Sequence, residues 1–218
     1  VHRWDIAPSQ AIQLQKRLAG RVAETPLTGE IRTLAGVDCT VSPDGRRILA
    51  AAVLCDAKTM RTLAVATAEA ECTFPYVPGL LSFREIPAVL KALKNLPLRP
   101  DLLMCDAQGR AHPRRFGLAC HVGVLLDIPA IGVAKSLLVG DHRPPGFKRG
   151  GSARLVYKGE VVGRVLRTRD DVKPVFVSVG HRVTLEQAVR WTLRCCRGVR
   201  LPEPTRRAHQ EVTRLRLS

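Results

Sequence analysis

The sequence predicts a single α/β domain over residues 1–218. Three observations predict it. Strand-like runs follow one another through tight connections at 33–41, 47–56 and 62–70. A strand–helix–strand succession fills 101–134. A hairpin and another strand occupy 153–180, before two helical patterns close the chain.

The elements follow in chain order. "SQAIQLQKRLAGRVA" (9–23) places Ile12, Leu18, Ala19 and Val22 near one face, and Ser9 is a candidate cap. "TLAGVDCTV" and "RILAAAVLCD" read as strands joined by a turn at Pro43-Asp44-Gly45. With "TLAVATAEA" they make an antiparallel meander. "CTFPYVPGLLS" is a loop with two prolines around Tyr76, followed by a helix over 86–95. "DLLMCD" is a buried strand, "PRRFGLACHVGVLLD" an apolar helix opening at Pro113, and "PAIGVA" a second buried strand. This succession is a βαβ unit. "GDHRPPGFKRGG" (140–151) is a basic loop expected to be mobile. "ARLVYKGEVVGRVLR" is a hairpin turning at Lys158-Gly159, and "KPVFVSVG" a further strand. Thr184-x-x-Gln187 spells a capping box, and prolines introduce the terminal helix.

Composition narrows the function. Lys and Arg number 35 against 19 Asp and Glu, a net charge of +16. Such an excess points to polyanions, above all nucleic acid, with a solubility device as the plain alternative. Aromatics are 4%, too few for a binder built on many stacking platforms. Seven cysteines without CxxC spacing suggest a reduced, cytoplasmic chain with no disulfide framework or zinc site. No apolar run is long enough for a membrane span, and the first ten residues lack a signal-peptide core.

Two carboxylates stand out. Asp38 follows Leu34-Ala35-Gly36-Val37, and Asp106 follows the strand at 102–105. A carboxylate where a strand leaves the core needs a cation, hydrogen bonds or a metal. Two of them on neighbouring strands repel unless a divalent cation sits between them, and hard oxygen ligands suit Mg²⁺ or Mn²⁺. Taken singly, each is more commonly a turn or cap residue. Glu85 is a third candidate, evenly balanced against a capping box from Ser82, with Pro87 disfavouring a helical Ile86. Lys135 at a strand end and His209 on the last helix read, by spacing alone, as ordinary exposed residues.

Six pieces stand in one order: "AGVD" (35–38), "PYVPGLLSFRE" (75–85), "DAQGRAHPRRFGLACHVG" (106–123), "IGVAKS" (131–136), "KPVFVSVGH" (173–181) and "PEPTRRAH" (202–209). Together they resemble the endonuclease V family, which nicks nucleic acid containing deaminated adenine, and the resemblance covers most of the chain. It implies a ribonuclease H-like fold, a mixed central sheet flanked by helices. It implies Mg²⁺, with Mn²⁺ as a substitute, held by Asp38 and Asp106, with Glu85 completing the acidic cluster. Lys135 and His209 would flank the scissile phosphate. The implied cut is one nucleotide beyond the lesion on its 3′ side, leaving 3′-hydroxyl and 5′-phosphate ends.

"PYVPG" corresponds to the family's wedge. Pro78 and its partner Pro75 stiffen it, and Tyr76 replaces the extruded base in the stack. The base pocket would be lined near Gly79, Leu81, Ala107 and Gly132, with Gly109, His112, Arg115 and Ser136 also on the substrate side. Arg114 and Arg115 in the first turn of a helix at Pro113 would oppose the macrodipole and await a polyanion. Ala107 and Gln108 depart from the family, many of whose members have glycine and histidine there. The implied partner is DNA with deoxyinosine, or inosine-containing RNA, acted on by a monomer with no membrane association. An inosine-specific endoribonuclease, another ribonuclease H-like nuclease and a catalytically silent nucleic-acid binder are the competing readings.

Overall fold

The computed structural model describes residues 2–217. Eight strands form one sheet: β1 (Thr33–Val41), β2 (Arg47–Asp56), β3 (Thr62–Glu71), β4 (Leu102–Cys105), β5 (Ala130–Ala134), β6 (Ser152–Tyr157), β7 (Glu160–Leu166) and β8 (Val175–His181). Their order is β3-β2-β1-β4-β5-β8-β7-β6. β1, β4 and β5 are parallel, and every other pairing is antiparallel. The sheet is therefore mixed, with its parallel strands central and buried, as βαβ crossovers require. This is the ribonuclease H-like architecture.

Five helices flank it: α1 (Pro8–Ala19), α2 (Leu81–Lys94), α3 (Leu118–Leu126), α4 (Leu185–Cys195) and α5 (Glu203–Leu217). Strand alternation separates the faces. Ala50, Ala52 and Leu54 of β2 pack with Ile86 and Val89 of α2 and Ala119 and Val122 of α3. Ala51, Val53 and Cys55 of the same strand turn the other way, onto Ala208 and Val212 of α5. α1 lies outside α2 and α3, with Ala11, Leu14 and Leu18 against Phe83 and Phe116.

The meander, the βαβ unit, the Lys158-Gly159 hairpin and the Thr184 capping box form as the sequence predicts. Several boundaries differ. α1 begins at Pro8, with Ala7 N–H donating to Gln10 Oε1 at 3.0 Å, so Ser9 is no cap, while Ile12 is half-buried at the edge of the packed face. α2 begins at Leu81, and Pro87 sits inside it, so Glu85 is helical. Ser82 lies within that helix and contacts His121 Nδ1 at 3.0 Å instead of capping it. α3 begins at Leu118, not Pro113, because residues 109–116 are turns ending in a left-handed Arg115 (φ 56°). Asp38 lies within β1, three residues short of its end. The 140–151 loop is anchored by main-chain pairs, Asp141 with Val156 and Arg167 with Gly151.

One contact fixes α5. A Cβ on Gly36 would stand 2.1 Å from Pro204 C and 2.4 Å from Thr205 N. The helix backbone thus rests directly on β1. From Gly36 to Asp38 the strand climbs roughly 6.6 Å, and from Thr205 to His209 the helix climbs roughly 6 Å. Helix and strand therefore advance in step, which brings His209 over Asp38. Gly36→Ala is expected to destabilise the fold by about 1–3 kcal/mol through overpacking. Urea unfolding measures this, and an unchanged midpoint would show that α5 does not depend on the contact.

Candidate active site

Asp38 and Asp106 meet because β1 and β4 are parallel with Val37 paired to Cys105, one residue before each carboxylate. The Asp106 N–H continues the ladder, donating to Val37 O at 3.2 Å. Both carboxylates are largely shielded from water, with side-chain exposures of 13% and 5%. A lysine and a histidine face them. Lys135 Nζ, just beyond β5, lies 2.5 Å from Asp106 Oδ2. His209 Nδ1, on α5, lies 2.7 Å from Asp38 Oδ2.

Burial, and then the neighbouring Asp106, raise the Asp38 pKa above its usual value. Glu85 comes from α2 on the other face of the sheet. Its pKa is pushed up from 4.5 to about 8, first by removal from water and then by Asp38. Asp38 and Asp106 thus stand together, and Glu85 is near enough to feel both charges, the pattern expected of a functional site.

The arrangement fits a divalent metal ion. One ligand atom each from Asp38, Asp106 and His209 lies within 4.8 Å of the others. Asp106 Oδ2 is buried and accepts no hydrogen bond, since the Lys135 ammonium approaches it out of hydrogen-bonding alignment. The two carboxylates suit Mg²⁺ or Mn²⁺, and an imidazole beside them suits the transition metal better than Mg²⁺. Glu85 lies outside this three-residue group.

These residues floor a cleft of about 880 Å³, within the range of ligand sites. Tyr76, Pro78, Gly79, Leu81, Ala107, His112 and Ser136 line it. Tyr76 projects with 71% of its surface exposed, from a loop held at both feet. Phe74 is buried and stacks on Phe83, with centroids 5.6 Å apart. At the other foot Gly79 O accepts from Gln15 Nε2 at 3.0 Å and Arg114 Nη2 at 2.7 Å, and His112 Nε2 lies 3.0 Å away.

Other expected substrate residues lie elsewhere or are already engaged. His112 has both ring nitrogens against backbone, Gly79 O and the Arg114 N–H. Burial and Arg114 lower its pKa to about 4, so it is neutral at pH 7. Arg115 donates to Glu160 and to Tyr157 O and does not line the cleft. Neither arginine stands in a helical first turn, so the expected clash with a helix dipole does not arise. Gly109 and Gly132 also lie off the cleft wall. A Cβ on Gly132 would meet Gly109 N at 2.4 Å, so Gly132 lets the 106–109 loop lie flat on β5, while a Cβ on Gly109 would meet Val179 O of β8 at 2.1 Å. Gln108 donates from Nε2 to Ser136 O at 2.9 Å, while its Oε1 is buried with no partner.

Sequence reasoning missed Gln15, whose Oε1 accepts from Arg114 Nε at 2.5 Å. A polar residue on the buried face of an amphipathic helix was the available signal. Thr213 and Arg216 of the cleft wall were also missed.

The family model described as "Endonuclease V" matches residues 16–210. The endonuclease V of Azotobacter vinelandii is 50% identical over 211 residues, covering 97% of this chain and 96% of that protein. The Streptomyces avermitilis endonuclease V crystal structure superposes with a TM-score of 0.91 at 48% identity, covering 97% and 94%. A Ciona intestinalis endonuclease V, solved in complex with a 24mer DNA containing an inosine followed by a ribo-adenosine, shares the fold. Its TM-score is 0.82 at 24% identity, covering 95% and 96%.

The raised Glu85 pKa makes the stability of the metal-free fold depend on pH. Its folded value exceeds the unfolded one, so the folded state holds an extra proton between about 4.5 and about 8. Without metal, its contribution favours the fold below that window and is lost as pH rises through it. In EDTA, wild-type stability measured by urea unfolding is expected to fall between pH 5.5 and 8.5 more than that of Glu85→Gln. Parallel profiles would contradict the assignment.

Proposed function

The chain belongs to the endonuclease V family, and we propose that it nicks nucleic acid at deoxyinosine. The proposed cut lies at the phosphodiester one nucleotide beyond the lesion on its 3′ side. The observation that carries the reading is the Asp38–Asp106–His209 group at the floor of the cleft, with Lys135 beside it.

In this reading Asp38, Asp106 and His209 hold the metal ion, and Glu85 lies beside them. A bound Mg²⁺ supplies charge to the phosphate and lowers the pKa of water. Lys135, already against Asp106, places a fixed positive charge where the phosphate oxygens arrive. His209, whose Nδ1 lies 2.7 Å from Asp38 Oδ2, would be held in place by that contact as the third ligand. Hydrolysis leaves the phosphate on the 5′ end and the hydroxyl on the 3′ end.

Selectivity begins with the cost of extrusion. A base leaves the stack most cheaply from a mismatch, and hypoxanthine pairs poorly with thymine. Tyr76 is exposed on a loop whose feet are clamped, so it can enter the vacated space without first being ordered. A backbone N–H facing the six-position would donate to the hypoxanthine carbonyl and reject the adenine amine, which would leave two donors opposed. Ala107 adds its methyl to the wall of this cleft.

Asp38→Ala and Asp106→Ala are each expected to lower nicking of a labelled deoxyinosine oligonucleotide by about 10³-fold or more, while binding largely survives. The assay is run with Mg²⁺, with Mn²⁺ and with EDTA, on DNA and RNA strands side by side. Full activity in either variant would remove the carboxylates from the mechanism. No nick beside the lesion with any metal would remove the function.

A further inference from the structure

α5 extends past His209 by two further turns, and that stretch also faces the cleft. Thr213 and Arg216 line it, one and two turns beyond His209 on the same helix face. Val212 beneath them is buried against β2, which fixes the stretch in place.

The four arginines of α5 are not equivalent. Arg206 and Arg207 both bind Glu203, at 2.7 and 2.9 Å. Arg214 binds Glu211 at 2.8 Å. Arg216 has no hydrogen-bond or ion-pair partner among the described residues, and it alone of the four lines the cleft. The helix dipole favours cations in this last turn, but it acts equally on Arg214. It does not explain why the unpaired cation faces the cleft and the paired one faces away.

The wedge loop and the Gly79 clamp belong to the α1–α2–α3 side of the sheet, while α5 lies on the opposite face. The metal-ligand group stands between them. A strand whose lesion sits beside Tyr76 and whose cut lies at Asp38 and Asp106 therefore continues along α5 on its 3′ side. Arg216 lies seven residues beyond His209, roughly 10 Å along the helix axis. A long side chain covers the turn N-terminal to its own Cα, so the guanidinium can reach back toward the scissile centre.

We propose that Arg216 binds a backbone phosphate of the 3′ product strand, at the first or second linkage beyond the cut. The proposal rests on the endonuclease reading and adds a binding contact to it. The arginine would act on strand affinity and leave the chemical step alone.

The test is nicking of deoxyinosine oligonucleotides in which single linkages 3′ of the cut are replaced by neutral methylphosphonates. Arg216→Gln is expected to raise KM about tenfold with kcat within twofold. Arg214→Gln, in the same turn but outside the cleft, is expected to leave KM unchanged. A methylphosphonate at the contacted linkage should raise the wild-type KM by a similar factor and have no further effect in Arg216→Gln. An unchanged KM in Arg216→Gln overturns the subsite. So does a methylphosphonate cost equal in variant and wild type at all of the first three linkages. Wild-type protein that fails to nick the unmodified oligonucleotide instead overturns the endonuclease reading on which the subsite rests.

Discussion

Two carboxylates side by side on parallel strands, both shielded from water, are the constraint around which this molecule is arranged. At about 4 Å and an effective dielectric near 20, two like charges repel by about 4 kcal/mol. The fold answers with a lysine from one side and a histidine from the other. β5 ends in Lys135 against Asp106, and α5 carries His209 onto Asp38. Each answer needs its own backbone arrangement. The parallel β4–β5 pairing sets the height of Lys135, and the Gly36 contact with Pro204 sets the height of His209. Asp106 Oδ2 still lacks a hydrogen bond, and Glu85 carries a raised pKa. The protein alone leaves the site short of positive charge, which is the condition a divalent cation relieves.

Much of this was legible in the sequence because it depends on local pattern. Period-two runs separated by Pro43-Asp44-Gly45 and Lys158-Gly159 fix the hairpins, whose turns accept little else. The apolar runs before Asp106 and at 129–134 could only be buried parallel strands once a crossover lay between them. The helix starts were not legible. Pro113 carries a helix-start signal, but the chain there makes turns that bring His112 and Arg114 to Gly79 O. Pro87 disfavours a helical Ile86, yet the packing of Ile86 and Val89 keeps α2 continuous through it. His209 could be assigned a role only by family resemblance, because its meeting with Asp38 spans 171 residues of sequence and depends on helix-on-strand packing.

The basic composition also takes on a more specific meaning. Much of the arginine excess is spent on main-chain carbonyls. Arg99 donates to Leu126 O and Asp127 O at the end of α3, and Arg149 to Leu193 O and Cys196 O at the end of α4. Arg200 ties Lys135 O, Lys173 and Pro174 together. These guanidinium groups satisfy exposed helix ends and pin loops, as their fixed donor fork allows. A net charge of +16 is therefore not a count of phosphate contacts. The informative cations are those on the cleft wall, and "DAQGRAHPRR" is chiefly a junction: Asp106 in the acidic cluster, Gly109 packed closely on the sheet, and Arg114 bracing the wedge loop.

The central claim is that Asp38, Asp106 and His209 together hold a divalent cation. The most direct measurement is anomalous X-ray diffraction from crystals of the protein soaked in Mn²⁺. The account predicts a peak about 2.1 Å from a carboxylate oxygen of both Asp38 and Asp106. Saturated crystals with no peak between these carboxylates, or with the ion bound elsewhere on the chain, would contradict it.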